Sequence, residues 1–266
     1  MALGRRATHI YSMNTSLAVF TFAALVLGGA VLLHAEKFTS KGVKIHYVVM
    51  GKGEPVILVH GLYSSAALNW QMPGTMTELA KHYQVITFDN RGHGQSGKPV
   101  ADDQYGVQMV EDVVRLMDHL HLSKAHVVGY SLGGIIAMKL LTLHPERVTS
   151  AVLGGMGWLK AESPLQRVLE TGKGRDNTRV PAACVHGIAK LAVTEDEVKA
   201  VRVPVTIIVG DRDPCRQMHV EPLMRIRPDW PEHVIKDAGH VNCVMKREFK
   251  GQLEAALAQP RPEPVR

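Results

Sequence analysis

Residues 125–143 read AHVVGYSLGGIIAMKLLTL, and the change of character in the middle of this stretch decides the fold. Ala125 to Gly129 is a short β-rich run, whereas Leu132 to Leu143 is apolar nearly all round, which argues for a helix packed at the centre of a domain. Between them stands Gly129-Tyr130-Ser131-Leu132-Gly133, a G-x-S-x-G pattern at a strand-to-helix junction. So tight a turn leaves no room for side chains two residues before and two after the serine, so glycine there is a steric requirement. The Ser131 hydroxyl is left at the tip of the turn. Such a hydroxyl is a poor nucleophile until a histidine, itself held by a carboxylate, comes within hydrogen-bond reach.

Strand and helix signals alternate on both sides of this junction. Strands are expected at 44–50, 55–60, 84–89, 149–153, 204–209 and 233–236, and helices over 107–120, 217–225 and 244–257. The first two strands are separated by Gly51-Lys52-Gly53-Glu54, which reads as a hairpin. Alternation of this kind predicts an α/β domain over 36–258, with a mostly parallel twisted sheet and helices on both faces. The rhythm breaks at 158–202, where a polar stretch and two short helical runs read as a lid insertion over one end of the sheet. Residues 259–266 are Pro-rich and read as a tail.

Fourteen histidines compete for the post of general base. His240 stands out, because it directly follows the last strand and Gly239 lets its loop fold back toward the sheet end. His60, His93 and His119 read better as surface or turn histidines. The carboxylate belongs at the end of the preceding strand, where Asp211 and Asp213 both stand. The chain order of serine, aspartate and histidine is that of α/β-hydrolases.

Together with His60-Gly61 after a strand, Asp89-Asn90-Arg91-Gly92-His93-Gly94-Gln95-Ser96, GYSLGG at 129–134, GDRD at 210–213 and Gly239-His240, this order resembles the α/β-hydrolase superfamily over about residues 38–258. The resemblance implies Ser131 as nucleophile, His240 as base and Asp213, rather than Asp211, as the acid. It implies an oxyanion hole from the backbone amides of Leu62 and Leu132, a device worth about 3 kcal/mol per donor. Tyr63, Met156 and Trp158 follow strand ends on the same side and are candidate substrate contacts. The implied activity is hydrolysis of a small-molecule carboxylic ester through an acyl-enzyme, with neither metal nor cofactor. C–C bond hydrolysis of dienoic keto-acids, thioester or lactone hydrolysis, and non-catalytic ligand binding on the same scaffold are the alternatives. A serine at the turn excludes the relatives that use aspartate there.

The stretch DNRGHGQSGKP at 89–99 contains G-x-G-x-x-G and invites a nucleotide reading. That reading fails, because Lys98-Pro99 follows at once where a helix should start, and Glu111 and Asp112 fall within an amphipathic helix where a ribose would not lie. Asp89 and Arg91 read instead as residues that tie the loop down. The net charge of +6 over 266 residues is scattered among acids, so no nucleic-acid surface is implied. Arg5 and Arg6 precede an uncharged run at 17–33, so residues 1–35 read as a signal or transmembrane anchor and the protein as membrane-anchored or exported. Three cysteines exclude a disulfide framework. A single Cys215–Cys243 bridge is the hypothesis that an exported chain would permit.

Overall fold

The computed structural model describes residues 34–171 and 179–259. Eight strands, β1 (His34–Ser40), β2 (Val43–Met50), β3 (Glu54–Val59), β4 (Tyr83–Phe88), β5 (Ala125–Tyr130), β6 (Val148–Gly154), β7 (Val205–Gly210) and β8 (Glu232–Ile235), form one sheet. Their spatial order is β1-β2-β4-β3-β5-β6-β7-β8. The β1–β2 and β2–β4 pairs are antiparallel and every later pair is parallel. The helices are α1 (Thr75–Leu79), α2 (Val107–His119), α3 (Leu132–Leu143), α4 (Pro164–Glu170), α5 (Ala182–Ile188), α6 (Glu195–Ala200), α7 (Glu221–Ile226) and α8 (Arg247–Leu257). The expected α/β class and mostly parallel sheet hold.

Side-chain alternation along the central strands sorts the core into two layers. Ile57 and Val59 of β3 pack with α2 and α3 through Val113, Met117, Ile136 and Leu140. Val56 and Leu58 point the other way, toward Met76 and Leu79 of α1 and Phe249 and Leu253 of α8. Burial on both faces explains why β5 is buried along its whole length and reads as a continuous apolar run. The parallel strands β3, β5, β6, β7 and β8 all end on one edge, so the loops that leave them converge there. Between β6 and β7 lie α4, α5 and α6, in a segment whose two ends are tied together by the bridge Lys160↔Val193 and by the Trp158 indole, whose Nε1–H donates to the Val193 carbonyl at 2.9 Å.

The expected hairpin between 44–50 and 55–60 does not form. β2 pairs with β1 on one side and β4 on the other, so β4 lies between β2 and β3. Gly51 and Gly53 have positive φ, and a Cβ on Gly51 would meet the backbone of Ala80 and Tyr83. These glycines let the chain cross the start of β4 closely and do not close a two-stranded turn. β1 was not expected as a strand, because HAEKFTS is a charged edge strand without apolar alternation.

The expectation of a membrane-anchored or exported protein is not upheld. Among the described residues no helix is long and apolar enough to cross a membrane. The longest, α2 and α3, have 13 and 12 residues, against the roughly 20 that a bilayer demands. The segment 17–33, on which that expectation rested, lies outside the described residues, as does most of the Pro-rich tail.

Candidate active site

Ser131 occupies a backbone conformation that L-residues avoid, with φ +55° and ψ −114°, between the end of β5 and the start of α3. The neighbouring sheet holds it there, since the Ser131 N–H donates to the Gly154 carbonyl at 2.8 Å. A Cβ on Gly129 would collide with the backbone of Gly133 and Gly134, and one on Gly133 with the carbonyls of Val59 and His60. The two glycines are therefore required by the turn and by the close approach of α3 to β3.

Loops from β7 and β8 bring the other two groups to the same hydroxyl. His240 Nε2 lies 2.9 Å from Ser131 Oγ, and Nδ1 lies 2.8 Å from Asp213 Oδ2. Asp213 is buried, whereas Ser131 and His240 are half-buried. Hydrogen bonds to Asp213 first, and then to Cys215, raise the His240 pKa above the ordinary imidazole value of 6.5, against the opposing effect of burial. The two aspartates weighed from the sequence divide the work. Asp211 accepts the Ala238 N–H at 3.0 Å and pins the histidine loop, while Asp213 faces the ring. Tyr130 completes the support, its hydroxyl donating to the His240 carbonyl at 2.6 Å.

The loop after β3 passes beside the serine. A Cβ on Gly61 would touch the Ser131 side chain at 3.3 Å, and the Gly61 N–H donates to Asn69 Oδ1 at 2.8 Å. Leu132 is the first residue of α3, where helix geometry provides its N–H with no intrahelical acceptor. Leu62 and Ser131 border the same cavity.

Residues 89–97 shape this loop from below. Asn90 donates its backbone N–H to His60 Nε2 at 2.9 Å and its side-chain amide to the His60 carbonyl at 3.0 Å. The Tyr63 N–H donates to His93 Nε2 at 3.3 Å. Asp89 accepts the N–H groups of Ala66 and Gln95 at 2.9 and 2.8 Å. His60 and His93 are buried, not the surface or turn residues expected. Burial lowers the His60 pKa, and burial with the neighbouring His60 lowers His93 to about 3, so both rings are neutral acceptors. Arg91 is fully buried and grips Asp112 of α2 through Nε and Nη2, both at 2.6 Å, and donates Nη1 to the Gln104 carbonyl at 2.6 Å.

A cavity of about 400 Å³ opens on Ser131, walled largely by Leu62, Tyr63, Leu68, Met72, Val244 and Met245. Of the three residues expected to contact substrate, only Tyr63 borders it. Met156 and Trp158 are buried in the hydrophobic core, and the Trp158 ring is committed to the Val193 carbonyl. A position after a strand end does not reveal toward which side the residue turns.

The hypothesised Cys215–Cys243 bridge is absent, and all three cysteines are free thiols. Cys243 is buried against the Tyr130 hydroxyl, and burial pushes its thiol up to about 12. Cys215 is half-buried and hydrogen-bonds His240 instead. The sequence reading missed Tyr130 and Asn69, and gave Cys215 a bridge to Cys243 in place of its contact with His240. Tyr130 and Cys215 each adjoin a recognised motif, whereas Asn69 carries no signal in the linear chain.

Residues 54–186 match the family profile described as the alpha/beta hydrolase fold. The "Putative carbamate hydrolase RutD" of Azorhizobium caulinodans is 34% identical over 129 residues, covering 48% of this chain and 47% of that one. The 2-hydroxy-6-oxo-6-(2'-aminophenyl)hexa-2,4-dienoic acid hydrolase of Metapseudomonas resinovorans is 34% identical over 134 residues, 48% of this chain and 45% of its own. The chain thus spans about half the length of the curated relatives it matches. Among solved structures, a thermophilic esterase from Thermogutta terrifontis (malate bound) superposes with a TM-score of 0.70 at 23% identity, covering 84% of this chain and 98% of that one. A strand–serine–helix turn, the strand order of the sheet and a profile match over half the sequence agree: the chain belongs to the alpha/beta hydrolase fold family.

Proposed function

We propose that this protein is a serine hydrolase that cleaves small carboxylic esters through an acyl-enzyme. The reading is carried by one observation, the continuous hydrogen-bonded line from Ser131 Oγ through the His240 ring to Asp213, at 2.9 and 2.8 Å. His240 takes the serine proton as Ser131 attacks the carbonyl carbon, and returns it to the departing alkoxide. Asp213 holds the ring with Nδ1 protonated, so that Nε2 is the basic nitrogen. The amides of Leu132 and Leu62 receive the oxyanion, helped by the positive end of α3. Water then repeats the sequence on the acyl-enzyme.

The apolar wall of the cavity supports an uncharged acyl or alkyl group, and its volume lies at the lower end of the range that small-molecule sites occupy. A second reading, C–C bond hydrolysis of a dienoic keto-acid, draws support from an adjoining cavity that shares Tyr63, Ser64 and Leu68 and is bordered by Lys98 and Arg179. Those cations suit a substrate carboxylate. The printed name of the Metapseudomonas relative agrees with this chemistry, and that of the Azorhizobium relative adds carbamates, whose carbonyl the same machinery would attack.

Incubation with a fluorophosphonate probe should label wild type at Ser131 and leave Ser131→Ala unlabelled. A panel of p-nitrophenyl esters of rising chain length, run beside a dienoic keto-acid and a carbamate, ranks the substrates. Folded wild-type protein that takes up no label would refute the hydrolase reading. Fast keto-acid cleavage with inert esters would reverse the ranking.

A further inference from the structure

The loop after β7 carries more than the carboxylate that the hydrolytic reading uses. A carboxylate oxygen of Asp213, the sulfur of Cys215 and a ring nitrogen of His240 all lie within 4.8 Å of one another. The loop builds this cluster locally. The Cys215 N–H donates to Asp213 Oδ1 at 2.8 Å, which sets the sulfur and the carboxylate on the same side of the imidazole. The ring nitrogen facing them is Nδ1, because Nε2 is turned to Ser131.

Oxygen, sulfur and nitrogen donors are the mixed set that zinc and its softer relatives take, at about 2.0–2.2 Å for oxygen and nitrogen and about 2.3 Å for sulfur. A tetrahedral ion with such bonds holds its donors roughly 3.5 Å apart. Side-chain rotation of about an ångström closes the observed cluster to that size. The other cysteines offer nothing comparable, since Cys184 and Cys243 are fully buried.

We propose that Asp213, Cys215 and His240 form a binding site for a thiophilic divalent cation, Zn²⁺ being the physiological candidate, and that occupancy switches the enzyme off reversibly. The Cys215 thiol loses its proton to solvent, the His240 Nδ1 proton leaves to solvent while Nε2 takes one up, and bonds form from the ion to the thiolate sulfur, to the freed His240 Nδ1 and to an Asp213 oxygen. The fourth position falls to water. Nothing is oxidised or reduced. The ring is left with its proton on Nε2, where it can donate to Ser131 but cannot accept the serine proton. The inhibitory consequence rests on the hydrolytic reading, whereas the binding site does not.

The test uses the full chain, kept reduced and freed of metal. Cd²⁺ should raise the ultraviolet charge-transfer band of a metal thiolate, saturating at one ion per chain, in wild type and in Ser131→Ala alike. Calorimetry should show Zn²⁺ affinity falling at least about tenfold in Cys215→Ala. Zn²⁺ should also protect Cys215 of wild type from alkylation by iodoacetamide, mapped by mass spectrometry, a readout that needs no variant to fold. Ester hydrolysis should fall over the same Zn²⁺ range and return on chelation. No cadmium band in wild type, a band that survives in Cys215→Ala, or Cys215 alkylated equally with and without Zn²⁺ would overturn the site. A band and protection in a protein that hydrolyses no ester before metal is added would leave the site standing and sink the hydrolytic reading instead.

Discussion

Breaking the Arg91–Asp112 pair from one side should cost far more than removing it whole. Arg91 and Asp112 are 0% and 1% exposed, and the guanidinium meets both carboxylate oxygens at 2.6 Å. Neither charge has water to fall back on. Asp112→Leu therefore leaves a buried cation with only the carbonyls of Gln104 and Ser40, and Arg91→Met leaves a buried anion with Ser40 and the partly exposed Arg115. Each single change should cost about 3–5 kcal/mol, a large share of the roughly 5–15 kcal/mol by which a domain is stable. The double variant should recover most of that loss. Burial raises the Asp112 pKa against the pull of Arg91, so desolvation weighs on the charged carboxylate, and replacing a buried ion pair by apolar groups of similar size is often neutral. Urea unfolding of wild type, both single variants and the double variant at neutral pH would give a coupling energy of about 3 kcal/mol or more. Single variants that lose less than about 1 kcal/mol, or losses that simply add, would refute the claim that this pair is dry and mutually dependent.

Three other outcomes follow from the same geometry. Asp89 is desolvated, yet the His46 ring close to its carboxylate and hydrogen bonds from the Gln95 and Ala66 N–H groups lower it from 3.8 to about 2. Its contribution, about 2 kcal/mol, is present above pH 4 and is lost as pH falls toward 2, so Asp89→Asn should flatten the acid limb of the stability curve measured by denaturant midpoint. Bonds to Asp213 and Cys215 raise His240, and in the proposed mechanism only the neutral ring accepts the serine proton, so the acid limb of kcat/KM should lie above pH 6.5. Cys215→Ala should move that limb to lower pH, and an unmoved limb would remove Cys215 from the site's electrostatics. Gly133→Ala, whose new methyl would meet the carbonyls of Val59 and His60, should destabilise the fold by about 3 kcal/mol and abolish fluorophosphonate labelling, read by thermal unfolding and gel fluorescence.

The parts of the site legible in the sequence were those in which one short stretch meets one steric or chemical demand. Gly129 and Gly133 announce a turn that excludes Cβ atoms, and the position of Gly239-His240 after the last strand announces a loop that returns to the sheet end. Met156 and Trp158 were misjudged for the opposite reason. Their place after β6 says where the backbone is, while the direction of their side chains depends on the packing of the segment that follows.

What the sequence determined by itself was most of the succession of strands and helices, the serine turn, and the chain order of Ser131, Asp213 and His240, because periodicity and glycine placement are local consequences of backbone sterics. Tertiary structure alone decided that β4 lies between β2 and β3, that His60 and His93 are buried acceptors beneath the cavity loop, and that the Cys215 sulfur faces His240 and not Cys243. An alternating pattern states which face of a strand is buried, but the identity of its neighbour is set by contacts between residues far apart in the chain. Only the folded molecule brings those residues together.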